Sequence, residues 1–463
     1  MIVVLAATLL LAVATGTVMT RVIVRDPHPR AIAIALALGA GLGLGLTACL
    51  FFVWLTIFGS RGFAALLACE VLVLAGLAVV WRVTRLVPGP SVSASYAGRA
   101  PLGWAWRLTL AVSVTASAAL FLARLASAPH GGWDAWMTWN RAARFLVRGG
   151  ADWPAAFSPI FRHPDYPLLV PGAVARAWSY MGTESVLAPA AVAAVFTSAV
   201  VTLTASALAR LRTDRQAVLA ALVLLATPSL LTYGASQYAD IPLAFFVLAT
   251  IVLLSLHDRL GHHPGTMLLA GCAAGLAAWT KNEGMLFVPA IVLARGVVVS
   301  AYRGWRSYAG ELRWFMAGAA PALLIVVYFK LHFAPTNDLM ADQGLAQTLP
   351  RLVDAARYVA VARAFKGEIA GLAYNGLVGA VPLVIGYLLC VGVKVHEDDR
   401  PALVTTGGAL ALMLAGYVVV LVSAPGDFLR LLNRSVDRLL LHVWPAIVFA
   451  AFMLARAPEE RPE

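Results

Sequence analysis

Charge is what this sequence has least of. Asp, Glu, Lys and Arg make up 13% of its 463 residues, while 61% are hydrophobic. Soluble domains carry roughly a quarter charged residues, so a soluble globular fold is excluded and a polytopic membrane protein is expected. Cysteine is scarce as well. Cys49, Cys69, Cys272 and Cys390 all sit inside apolar runs, with neither metal-ligand spacing nor a pairing pattern, and read as small core residues. Also missing are a phosphate-binding P-loop, a dinucleotide fingerprint, a GxSxG nucleophile elbow and any zinc spacing. The formal net charge of +12 does not point to nucleic acid, because the positive-inside rule and anionic lipid account for it in a membrane chain. The first apolar run has no basic segment before it; Arg21, Arg25 and Arg30 follow it. It reads as a helix with its N-terminus outside, not as an ordinary signal peptide.

Long apolar runs are what the sequence has in abundance. They lie near 2–19, 31–58, 63–84, 107–126, 185–208, 217–233, 240–257, 266–280, 285–301, 314–333, 371–393, 402–423 and 438–455. At roughly 20 residues per crossing they predict an all-α polytopic protein of about 13 transmembrane helices, not a barrel. The short loops RVIVRDPHPR, RLRTDR, HDRLGHH and YRGWRSYAGELR are basic and read as cytoplasmic, whereas GSRG, SQYAD and KNEG read as outer. The topology expected is N-terminus outside and C-terminus cytoplasmic. Residues 1–84 form an N-terminal three-helix addition in which Gly39, Gly41, Gly43 and Gly45 predict close helix packing. Glu70, a lone membrane carboxylate, is either functional or paired, with Arg82 as the expected partner. A Pro/Gly/Ser-rich linker at 85–106 leads to a catalytic module at 107–333. An outer loop at 334–370 and C-terminal helices at 371–463 complete the division.

One stretch interrupts the apolar pattern. Within the outer loop 127–184, His130 to Pro167 concentrates tryptophan, acids and arginines: HGGWDAWMTWNRAARFLVRGGADWPAAFSPIFRHPDYP. Residues 134–148 and 167–182 read as two juxtamembrane interfacial helices, together a shelf over a cavity. Asp134, between Trp133 and Trp136, suits a general base and equally a first-turn acid. Asp240 in SQYADIP stands at an outer helix mouth, with Pro242 in the first turn, and reads as an N-cap, a substrate-facing acid or both. Lys281 in WTKNEG is a compact phosphate partner or a snorkelling lysine paired with Glu283. Arg430, Arg434 and Arg438 recur every four residues, and His442 continues their face. That row is placed for a phosphate, or is an interfacial basic helix.

With these residues in place, the chain resembles the GT-C superfamily of integral-membrane glycosyltransferases, near the bacterial protein O-mannosyltransferase and lipid A aminoarabinose transferase branch. WDAW supplies the loop acid Asp134, YAD the second acid Asp240, and TKNEG the outer-turn Lys281. The Asp-Glu pair typical of protein mannosyltransferases is here Asp134-Ala135, and 1–84 is additional to the usual body. The resemblance implies transfer of a sugar from a polyprenyl-phosphate carrier to an acceptor hydroxyl of a glycan, lipid or protein on the periplasmic or exterior face of a bacterial inner membrane. It implies Asp134 and Asp240 as catalytic acids, Asp134 being the base of an inverting attack. Lys281, Arg434, Arg438 and His442 are expected at the donor phosphate. Trp133, Trp136, His163, Asp165, Tyr166 and Glu283 are expected at the acceptor or sugar. No nucleotide, no metal ligand and no obligatory cofactor is implied, though two acids beside a phosphate admit a divalent cation. The competing readings are a transporter or flippase of a lipid-linked or anionic substrate, and a non-catalytic membrane assembly subunit. Charges gathered at one face, with no inverted repeat, weigh against a transporter.

Overall fold

The computed structural model describes residues 1–84, 102–336, 344–371 and 379–457. Of the expected linker, 85–101 lies outside the described residues. The apolar runs form helices α1 (Ile2–Val24), α2 (Ala31–Phe58), α3 (Phe63–Thr84) and α4 (Trp104–Ser127). The large loop contributes α5 (Asn140–Arg148) and α6 (Leu169–Met181). Then come α7 (Leu187–Leu211), α8 (Asp214–Leu225), α9 (Pro228–Ala235), α10 (Asp240–Arg259), α11 (Pro264–Thr280), α12 (Asn282–Arg303) and α13 (Trp305–His332). Two short helices, α14 (Leu345–Leu352) and α15 (Ala355–Gly371), precede α16 (Ala380–Val391), α17 (Arg400–Ser423) and α18 (Phe428–Leu454). Among the described residues there is no strand, only a bridge between Val393 and Ala455.

Ten of these helices are long and apolar enough to cross a membrane. An eleventh span is counted if α8 and α9, bent by 61° at their junction, form one. The expectation of about 13 therefore exceeds the helices that qualify. The run at 217–233 breaks because Thr227-Pro228 starts a new helix: Pro at the first position is compatible with a helix start and not with an interior. Of the run near 371–393, residues 372–378 lie outside the described residues, and Ala380–Val391 forms α16.

The bundle is built around α10, in which every residue from Asp240 to Asp258 is buried. A helix apolar on all sides belongs in a core, and α2, α7, α11, α17 and α18 pack around this one. At 1.5 Å per residue, its two acids, Asp240 and Asp258, stand roughly 27 Å apart, close to the apolar thickness of a bilayer. Each nucleates a polar cluster at its own end of the bundle. At the Asp258 end, Arg295 holds Asp258 through Nη1 at 2.8 Å and Nη2 at 2.6 Å and reaches Glu311 through Nε at 2.8 Å, tying α10, α12 and α13 together. The same end is stapled by Arg259 to Asp399, Arg30 to Asp214 and Arg210 to Asp26. Those arginines were expected in cytoplasmic loops. Each is engaged in an ion pair.

Residues 1–84 are not peripheral in packing. α2 runs against α6, α7, α10 and α11. Its glycines work in two sets. A Cβ on Gly43 would lie 1.9 Å from the Ala12 carbonyl of α1, and one on Gly41 would lie 1.9 Å from the Phe245 ring of α10. Two helix faces thus meet neighbours at backbone distance, as the glycine stripe predicted. Glu70 does not pair with Arg82. Its partner is Arg176, distant in sequence, which donates from Nε to Oε1 at 2.6 Å and from Nη2 to Oε2, while Nη1 reaches the Thr8 carbonyl at 3.2 Å. Arg176 lies on α6, and this helix is buried from Leu169 to Trp178. The second helix expected at 167–182 is present as α6, and its side chains pack inside the protein instead of lying free on its surface. A 13-residue helix too short to span is equally one enclosed by its neighbours, and only the packing of α1, α2, α3 and α5 against it distinguishes the two.

Both partners of the Arg176–Glu70 pair are 2% exposed or less. Removing one side of such a pair strands a buried charge at a cost of roughly 3–5 kcal/mol, whereas replacing both by apolar residues is near neutral. Arg176→Ala is therefore expected to lower the thermal midpoint of the detergent-purified protein steeply, and Glu70→Leu combined with Arg176→Met is expected to recover most of it. Equal loss in the single and double variants would contradict this account.

Candidate active site

At the other end of α10, Asp240 has no solvent exposure. Oδ1 accepts from Lys281 Nζ at 2.9 Å and from His442 Nε2 at 2.8 Å. Oδ2 accepts from Arg438 Nε at 3.1 Å and Nη2 at 2.8 Å. Three separate segments deliver these donors: the α11–α12 turn and two successive turns of α18. Each is placed by a local signal. Asp427 caps α18 by accepting from the Arg430 N–H, which sets the register that turns Arg438 and His442 inward. Lys281 is extended, at φ −153°, between α11 and α12, so its side chain points into the bundle. His442 is engaged on both sides: Nδ1 meets the Tyr417 hydroxyl at 3.1 Å. The network makes Nε2–H the donor to Asp240 and Nδ1 the acceptor from Tyr417.

Arg438 joins this core to the loop. Its Nη1 donates to Asp134 Oδ2 at 2.6 Å, and its guanidinium lies 4.8 Å from the Tyr238 ring centre. Asp134, with its side chain 30% exposed, heads a π-helical turn, Ala135–Trp139, and makes no capping hydrogen bond. Single π turns are common at functional sites because the wider ring re-aims neighbouring side chains. After this turn, α5 buries Ala142, Ala143 and Leu146. Its arginines are committed within the protein: Arg144 and Arg148 to Glu184, and Arg141 over the Phe161 ring at 3.8 Å. Burial lowers Arg141 to about 10. The first expected interfacial helix is present, 133–148 being continuously helical through the π turn, and its basic face is turned to Glu184 and Phe161.

A cavity of about 540 Å³ opens between these elements. Its lining includes the charged Asp134, Lys281, Glu283 and Arg438 and the apolar Met285, Leu286, Val420, Leu421, Leu431 and Leu439 from α12, α17 and α18. His163, Asp165 and Tyr166 also line it. Tyr166 is stacked between Trp139 at 5.3 Å and His163 at 4.8 Å. Burial, reinforced by Glu283, holds its phenol well above the ordinary tyrosine range. Asp165 is tied to Asn282, which donates at 2.8 Å, and to Lys330, whose Nζ donates to Asp165 Oδ2 at 3.1 Å and to Asn282 Oδ1 at 2.9 Å.

Most of the expected residues thus converge, with differences. Glu283 accepts from Lys281 at 3.0 Å, the pair foreseen as a local salt bridge. Asp240 is brought to the centre but has no exposed oxygen for a sugar hydroxyl, because four donor contacts cover both. His442 is likewise spent on Asp240 and Tyr417 and has no nitrogen left for a phosphate. Arg434 is exposed and does not line the cavity. Each step of four residues advances the helix by about 40°, so Arg434 lies roughly 80° around α18 from His442. Leu431, Ser435, Arg438 and Leu439 hold the facing stripe instead. Trp133 and Trp136 pack edge to face at 4.7 Å and stay 56% and 42% exposed beside the cavity. Sequence reasoning missed Lys330, Asn282 and Tyr417. Lys330 looks like an ordinary basic residue in the last turn of a span, and only Tyr417, a hydroxyl inside an apolar run, carried a readable signal. Among the described residues, His257, Asp258 and Glu311 bring potential metal ligands within 4.8 Å of one another, but Arg295 and Arg303 already hold those carboxylates.

Residues 176–329, from α6 to α13, match the family model described as dolichyl-phosphate-mannose-protein mannosyltransferase. The match includes Asp240, Lys281 and Glu283 and excludes Asp134, Arg438 and His442. No curated protein and no solved structure matches the chain. The nearly all-helical, apolar fold and this match, which covers about a third of the chain, support a likeness to the GT-C superfamily of integral-membrane glycosyltransferases.

Proposed function

We propose that this glycosyltransferase moves a sugar from a polyprenyl-phosphate carrier to an acceptor hydroxyl of a glycan, lipid or protein, with inversion, on the outer face of a bacterial cytoplasmic membrane. The observation that carries the reading is a cavity lined both by charged groups, Asp134, Lys281 and Arg438 among them, and by apolar side chains of α12, α17 and α18. An isoprenoid needs the second and its phosphate the first. The carrier phosphate lies against Lys281 and Arg438, which take up the charge that develops as it leaves. Asp134 accepts the acceptor's proton. The acceptor oxygen attacks the anomeric carbon opposite the leaving phosphate, so the configuration inverts, and no second carboxylic acid is required because phosphate leaves as an anion. Asp240 positions Lys281 and Arg438. His163, Asp165 and Tyr166 border the sugar or acceptor, and Glu283 stands beside the phosphate end. A transporter is disfavoured because the charges gather at the helix ends and not at the midplane.

Mass spectrometry of lipids and surface glycans from cells carrying wild type or Asp134→Asn tests this reading. The variant is expected to accumulate at normal level, to lack one sugar on its product and to build up a polyprenyl-phosphate sugar. Unchanged glycans at normal protein level would remove Asp134 as the base. Asp240→Asn is expected to behave differently. It leaves Lys281 and Arg438 without their shared buried counter-charge, a loss on the order of 3–5 kcal/mol, so folded protein is expected to fall sharply, measured as the monodisperse fraction in detergent. An Asp240→Asn protein with wild-type stability but no turnover would instead make Asp240 a group of the chemical step.

A further inference from the structure

Arg438 has three bonds, and they are not equivalent. Nε and Nη2 rest on Asp240 Oδ2, and that carboxylate is enclosed, unexposed and held again by Lys281 and His442. This end of the guanidinium is anchored. Nη1 rests on Asp134 Oδ2, which is half-buried at the head of a π turn and makes no capping bond of its own. The bond to Asp134 is therefore the exchangeable one, and both Arg438 and Asp134 line the cavity.

Charge balance points the same way. Asp134, Asp240 and Glu283 contribute three negative charges, against two positive charges from Lys281 and Arg438; Lys330 and Asp165 balance each other. His442, hydrogen-bonded on both nitrogens beside Lys281, is a neutral ring. The donor-free site is thus already one charge negative, and a phosphodiester adds another. In a partly desolvated cavity an anion enters readily only if a carboxylate gives way. Asp240 cannot move without stranding its cations, and Glu283 is bonded to Lys281. Asp134 is the exposed member.

Resting on the transferase reading above, we propose that Arg438 exchanges Asp134 for the donor phosphate, so that donor binding is what frees the base. Without donor, Asp134 Oδ2 holds an Arg438 proton and is unavailable. When the phosphate takes Nη1, Asp134 turns to the acceptor. The acceptor O–H proton then passes to Asp134 Oδ2. The acceptor oxygen bonds to the anomeric carbon as the carbon–oxygen bond to phosphate breaks, and that electron pair stays on the phosphate, which goes from one negative charge to two. The dianion holds Arg438 until it leaves, after which Asp134 sheds its proton and returns to the guanidinium. The device orders the reaction, donor before acceptor.

A double-mutant cycle in phosphate binding tests this. The full-length protein in lipid nanodiscs is titrated with undecaprenyl phosphate, without sugar, for wild type, Asp134→Asn, Arg438→Gln and the double variant, with binding followed by native mass spectrometry. Asp134→Asn no longer competes for Nη1 and is expected to bind about tenfold tighter than wild type, a difference of roughly 1.4 kcal/mol. In the Arg438→Gln background the same substitution is expected to change binding less than about twofold, because the coupling runs through one guanidinium. If Arg438→Gln does not fold, the cycle is run in Arg438→Lys, whose single ammonium keeps the charge near Asp240 but lacks the fork that bridges to Asp134. Equal tightening in both backgrounds would reduce the effect to general charge repulsion and overturn the exchange, as would no tightening at all. Loss of the glycan product in Asp134→Asn cells alongside either result would leave the transferase standing. Absence of undecaprenyl phosphate binding in the wild type would overturn both.

Discussion

Everything at the site depends on one buried carboxylate. Asp240 sits at the head of the most enclosed helix of the bundle and carries the negative charge that lets Lys281 and Arg438 remain ionised out of water. Neither cation is stable there alone, since the cost of desolvating an unpaired charge far exceeds what packing returns. The arrangement is therefore cooperative: the acid is buried because the cations cover it, and the cations point into the cavity because the acid holds their near side. A phosphate that arrives finds donors already oriented, with little left to reorganise. The same constraint makes Asp240 an anchor, whereas the half-buried Asp134 is held through one bond to Arg438.

The opposite end of the bundle shows how this geometry is kept in register. Arg295, clamped between Asp258 and Glu311, joins α10, α12 and α13 at one level. The site then needs the far ends of those same three helices, which carry Asp240, Lys281 and Lys330. Rigid helices pinned at one end deliver their other ends reproducibly. α2, admitted to the interior by its glycines, and α6, locked by Arg176 to Glu70 and Thr8, brace the loop that carries Asp134. The N-terminal helices thereby support the site through packing even though none of their side chains lines the cavity.

Much of this was legible in the residues, and the failures have a common form. Asp134, Asp240 and Lys281 stood out because charge is rare in such a chain and its position at helix ends is visible from hydropathy. Arg438 was found with its face, but Arg434 was carried along wrongly: a four-residue repeat looks straight in a sequence and drifts around a helix. Glu70 was given Arg82 as partner because that was the nearest base in the same helix, while the true partner is on α6. Lys330 and Asn282 were invisible because nothing local separates a lysine that closes a polar network from one that ends a span. Asp240 was read as an N-cap, a substrate-facing acid or both, and its complete enclosure was not legible because burial is a property of neighbours.

The sequence by itself determined the class of the molecule and the ends at which chemistry is possible. A chain this apolar must satisfy its backbone within helices, and its few charges must lie near helix ends or pair inside. Tertiary structure alone decided which charges meet, because pairing in a low dielectric selects partners by distance in space and is indifferent to separation along the chain. It decided that Arg438 bridges a fixed acid and a free one. That difference rests on how many donors surround each carboxylate, a quantity that exists only once the helices have packed.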